Sequence, residues 1–90
     1  MTQEEIKEIL SVHGLDETLL FEDPSYETAF IGISHDDKAV YDYDKMVEYL
    51  VEKDGITEEE AADFVCYNTL RSLSYCENSP IVVFDYNKYF

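Results

Sequence analysis

Carboxylates are the side chains with the most chemical potential in this chain, and they fall into three groups. Asp36, Asp37, Asp42 and Asp44 bracket a predicted strand; Glu48, Glu52 and Asp54 follow along a predicted helix; Glu58, Glu59, Glu60 and Asp63 open the next one. Asp and Glu number 21 against six Lys and Arg, so the 90 residues carry a net charge of −15. Such a surface repels nucleic acid and anionic membranes and attracts basic protein clefts. Duplex phosphates present one charge per ~1.7 Å of axis, and a dense carboxylate face can imitate them. A solvated coat that keeps a small protein soluble is the plainer reading. The excess spans the whole chain and costs stability through self-repulsion, which an ordinary charged face does not.

Other chemistries lack their parts. Calcium loops need oxygen ligands at alternate positions, a glycine at the turn and a terminal glutamate; neither HDDKAVYDYD nor EKDGITEEE has that register. Zinc needs clustered ligands, but Cys66 and Cys76 are far from His13 and His35. Cys66 falls on an apolar stripe and reads as a small core residue. A Cys66–Cys76 disulfide fits the composition, while a reducing cytosol disfavours it. A thiol nucleophile wants an electropositive setting, the opposite of this one. No glycine-rich phosphate loop is present, and six basic side chains make nucleic acid a poor ligand. The composition implies no enzyme, cofactor or metal.

The elements that must carry these residues are legible in outline. One domain over 1–90 is expected, folded because 46% of residues are hydrophobic and eight Tyr and five Phe are present. No basic, apolar leader and no bilayer-length apolar run is seen, so a cytoplasmic location is expected. Thr2 and Glu5 form a predicted capping box for a helix over 3–13, with Ile6, Ile9, Leu10 and His13 on one face and Gly14 as its stop. Leu15 to Phe21 suggests a further helical turn, and Asp23-Pro24-Ser25 a chain reversal. Glu27–Ser34 and Ala39–Tyr43 read as a β-hairpin, with Ala29, Ile31 and Ile33 facing one way. Tyr43, Met46, Val47 and Leu50 mark a second helix, capped by Asp42 or Asp44 and stopped at Asp54-Gly55. Thr57 and Glu60 cap a third, with Ile56 stapled to Ala61 and a stripe of Ala62, Val65, Cys66, Thr69 and Leu73. Ile81–Phe84, apolar throughout, predicts a strand covered on both sides or protected by a partner. The order α-β-β-α-α-β implies an α+β fold: a small antiparallel sheet, made of the hairpin plus the last strand, packed by three helices. Asn87 to Phe90 are expected to be loosely held.

The eight tyrosines exceed what so small a core can hide. Tyr49, Tyr75 and Tyr89 are the expected interface anchors, the rest shielding strands and helix seams. Arg71 suits the C-terminal end of its helix, with a role beside Asn68 as the lesser alternative. The expected partner-binding set is Asp36, Asp37, Asp42, Asp44, Glu48, Tyr49, Glu52, Glu58, Glu59, Glu60 and Asp63.

The stretches GIS (Gly32–Ser34), VYDYDKM (Val40–Met46), DGITEEEA (Asp54–Ala61), YNTLRSL (Tyr67–Leu73) and PIVVF (Pro80–Phe84) occur in this order. The series resembles a group of short acidic proteins encoded by phages and prophages of Gram-positive bacteria. That resemblance implies a phage setting in an infected or lysogenic host and carries over no catalytic residue. In size and charge the chain also resembles anti-CRISPR and antirestriction inhibitors. Together these imply an inhibitor of a basic host protein, such as a CRISPR effector or restriction nuclease, acting as a nucleic-acid mimic. A regulatory or structural module, a homodimer or an adaptor, is the alternative.

Overall fold

A computed structural model describes residues 2–73 and 78–89. The fold is α+β: three strands form one sheet in the order β1-β2-β3, with helices packed on it. Strand β1 spans Phe30–Ile33 and pairs antiparallel with β2, Ala39–Asp42, as the hairpin expectation had it. Strand β3, Ile81–Val83, pairs with β2 in parallel, so the sheet is mixed rather than antiparallel. A parallel pair needs a long crossover, and here the whole of α2 and α3 lies between the two strands. Apolarity marked β3 as a strand but carries no information on its direction.

Helix α1, Gln3–Val12, begins at the expected box: Thr2 Oγ1 accepts the Glu5 amide and the Glu5 carboxylate accepts the Thr2 amide. Only Ile6 and Leu10 of its apolar face are buried; Ile9 and His13 are exposed. Helix α2, Tyr43–Asp54, is capped by Asp42, whose carboxylate accepts the Lys45 amide at 3.1 Å, and it ends on Gly55 in the left-handed region. A side chain at Gly55 would be strained by that conformation, so the Asp-Gly stop has a backbone cause. Helix α3, Glu58–Phe64, starts from the Thr57/Glu60 box. Its N-terminal neighbour Ile56 packs against the cluster that contains Ala61.

The core lies between sheet and helices. Tyr41 of β2, Met46, Val47 and Leu50 of α2, and Ala61 and Val65 from the third helical stretch meet there with Tyr26 and Ala29. Tyr26 is fully buried in a left-handed conformation, φ 49°, which is unusual for an aromatic residue. Its ring sits 5.3 Å from Phe21 and 5.7 Å from Tyr49, and its hydroxyl meets that of Thr69 at 2.6 Å. These contacts over-determine the position and hold the strained backbone.

Four expectations are corrected. Residues 15–21 form no helix: they cross the surface as a turn and irregular chain. Glu27–Ala29 is a 3₁₀ turn, and a bulge between Phe30 and Gly32 turns Ile31 outward while Phe30 and Ile33 pack on the core. After Phe64 the helix widens to π geometry over Val65–Leu70, which keeps Val65 and Thr69 inside and leaves Cys66, Tyr67 and Asn68 exposed. Cys66 is therefore not a core residue. Strand β3 is an edge strand, with Val83 and Phe84 exposed, rather than one covered on both sides.

Candidate functional site

The predicted acids separate by what they touch. Asp36 accepts the Ser34 hydroxyl and lies 3.5 Å from Lys38 Nζ. The serine hydroxyl, helped by the Lys38 charge, holds the Asp36 carboxyl below the usual aspartate range. Asp37, beside it in the turn, is exposed and left-handed, and its carbonyl accepts the Thr18 hydroxyl at 3.2 Å. Asp42 is spent on the α2 cap and Glu60 on the α3 cap.

Asp44 is also engaged. It accepts the Tyr89 hydroxyl at 2.6 Å and Lys88 Nζ at 3.2 Å, and these hydrogen bonds lower its carboxyl, the tyrosine contributing most. The same bond raises the Tyr89 phenol. Tyr86–Tyr89 form a one-turn helix, α4, which this pair ties to the start of α2. Tyr43 stacks on Phe84 at 4.4 Å, with Tyr89 edge-on to both rings. The chain end up to Tyr89 is docked rather than loose, because residues more than 40 positions apart in sequence pair across it.

Glu48 and Glu52 occupy the outer face of α2, one turn apart, opposite the buried Met46, Val47 and Leu50. Glu58, Glu59 and Asp63 are likewise exposed on α3, with Glu59 and Asp63 one turn apart. None of these five side chains has a hydrogen bond or ion pair among the described residues. Full pairing of all six basic side chains would still leave 15 of the 21 acids uncompensated. The structure thus gathers Glu48, Glu52, Glu58, Glu59 and Asp63 on two helices that pack together, and assigns Asp36, Asp42, Asp44 and Glu60 to the fold.

Of the expected anchors, Tyr49 is half-buried, bonded to the Ser25 hydroxyl at 3.1 Å, with Lys53 Nζ 5.4 Å from its ring centre. Tyr89 is bound to Asp44, and Tyr75 lies outside the described residues, as does Cys76. Tyr67 and Tyr86 are the more exposed rings. The π-helical phase shift that exposes Tyr67 leaves no mark in the sequence period.

Cys66 Sγ lies 3.8 Å from the Tyr43 hydroxyl, not beside an imidazole. Burial, and then Cys66, pushes the Tyr43 phenol up to about 12, which makes it a reluctant acid. Among the described residues no three His, Cys, Asp or Glu side chains are grouped to hold a metal ion. No helix there is long and apolar enough to cross a membrane. No family model, curated protein or solved structure matches the chain.

Proposed function

We propose that the chain is a non-enzymatic acidic inhibitor, of phage or prophage origin, that occupies the basic groove of a host nucleic-acid-binding defence protein in place of nucleic acid. A CRISPR effector or restriction nuclease is the kind of target meant. The observation that carries this reading is the outward, uncompensated set Glu48, Glu52, Glu58, Glu59 and Asp63 on α2 and α3. Acids one helical turn apart are separated by ~6 Å along the axis, close to two phosphate steps of ~3.4 Å on one strand. Steering by such a field gives fast association that salt screens over ~8 Å.

The test is retention of bacterial lysate proteins on the immobilised chain at low and high salt, followed by competition of each retained protein against labelled DNA. The expected result is a nucleic-acid enzyme that leaves the column with salt and loses its DNA when the chain is added. A retained partner that keeps its DNA refutes mimicry.

One observation favours a second reading, a regulatory or structural interaction module. Edge strand β3 leaves Val83 37% and Phe84 39% exposed, and an open edge can receive another strand. Light scattering that shows a dimer, together with no competition against DNA, would select it.

A further inference from the structure

Two adjoining grooves open beside α1, where segment 15–22 runs past the β1–β2 turn. The larger, about 770 Å³, has an apolar lining that includes Leu10, Leu15, Leu19, Leu20, Leu73 and Pro80. The smaller, about 510 Å³, lies among Asp16, Glu17, Asp36 and Asp37, with Lys38 as the one base that lines it among the described residues. Leu15 through Leu19 line both, so an apolar trough runs directly into an acidic one. At the apolar rim Lys7 and Glu22 approach each other at 3.9 Å, so that rim adds no net charge.

The shared wall is fixed by the protein's own bonds. The Leu15 amide donates to Leu10 O at 2.8 Å, the Thr18 amide to Leu15 O at 3.1 Å, and the Phe21 amide to the Tyr41 hydroxyl at 3.2 Å. The Thr18 hydroxyl, donating to Asp37 O, ties this wall to the acidic turn. Leu19, at the junction, is 46% exposed. Sites of this size with an apolar floor and a few placed polar groups are what ligands fill.

Charge and polarity together select the occupant. Nucleic acid and anionic lipid are repelled, and neither matches a leucine floor flanked by carboxylates. A second copy would bring another −15 against the same acids. We infer that this composite groove binds a basic amphipathic segment of a partner protein, with apolar side chains on Leu10, Leu15 and Leu19 and Lys or Arg among Asp16, Glu17 and Asp37, Asp36 being held by Ser34 and Lys38. This goes beyond the proposed mimicry: Glu48, Glu52, Glu58, Glu59 and Asp63 line neither groove.

The experiment titrates the full chain with a synthetic peptide, leucine-rich in one half and Lys/Arg-rich in the other, followed by amide NMR shifts and fluorescence anisotropy. Shifts are expected at Leu15–Leu19 and Asp36–Asp37. The triple variant Asp16→Asn/Glu17→Gln/Asp37→Asn should bind at least ~10-fold more weakly, and Asn suits the left-handed site at position 37. Leu19→Asn should also weaken binding by ~5-fold or more. A peptide with Ser for Leu should lose at least as much, which probes the apolar half without altering the fold. Equal binding of the Ser peptide, or an unaffected triple variant, overturns the inference. Shifts confined to α2 and α3 overturn it too, yet leave the mimicry reading standing. A dimer through Leu19 in light scattering would assign the groove to a second copy instead.

Discussion

Helix α2 carries carboxylates at its start and along its outer face, and it uses them in opposite ways. At the start, Asp42 satisfies a helix amide and Asp44 holds Tyr89 and Lys88 from the far end of the chain. Along the outer face, the Glu48 and Glu52 side chains are exposed and make no hydrogen bond or ion pair among the described residues. The same side-chain chemistry is structural in one place and free in the other, separated by a turn or two of helix. The net charge of −15 counts both kinds alike and does not separate them.

The contrast is sharpest in stability. Asp42→Ala removes the cap and should cost about 1 kcal/mol, lowering the melting temperature by roughly 4–8 °C in a domain of this size. Glu52→Ala should stay within about 0.5 kcal/mol. Equal losses in the two variants, measured by thermal denaturation, would erase the distinction.

A smaller effect is expected at the C-terminal tie. Tyr89→Phe and Asp44→Asn should each cost under ~1 kcal/mol, because the pair is partly exposed and screened by solvent. Their double-mutant cycle should show that the two losses overlap. The Asp44 carboxyl is held low, chiefly by the Tyr89 hydroxyl, so its contribution is complete above the ordinary aspartate value and fades as pH falls through the depressed one. The melting-temperature gap between parent and Tyr89→Phe should accordingly close in acid. A gap that persists at pH 2 would show that the tie is packing alone.

The smallest effect has the opposite sign. Glu48→Gln/Glu52→Gln relieves repulsion and should raise the melting temperature by a degree or two, and added salt should do the same for the parent. Melting curves that ignore both changes would mean these acids do not feel one another.

The caps were the most legible part of the fold. Thr2/Glu5, Asp42, Thr57/Glu60 and Gly55 act as their local sequence implies, because capping is settled within four residues. Legibility failed where the cause was distant. The direction of β3 depends on a crossover through two helices, and the docking of α4 on a tyrosine and a lysine meeting Asp44 across the chain. The exposure of Cys66 and Tyr67 follows from a π-helical stretch that the apolar period, read at 3.6 residues per turn, conceals. For the candidate surface the sequence supplied the acids but could not say which ones the fold consumes. The groove beside Leu19 was invisible, since Leu15 to Phe21 suggested helix and became its wall.

The most direct measurement compares the parent with the folded variant Glu48→Gln/Glu52→Gln/Glu58→Gln/Glu59→Gln/Asp63→Asn as competitors that displace labelled DNA from a retained basic partner. At roughly 0.5 kcal/mol per exposed charge, the five changes should raise the concentration needed by about 50–100-fold. Displacement by the variant at the parent's concentration would contradict the account.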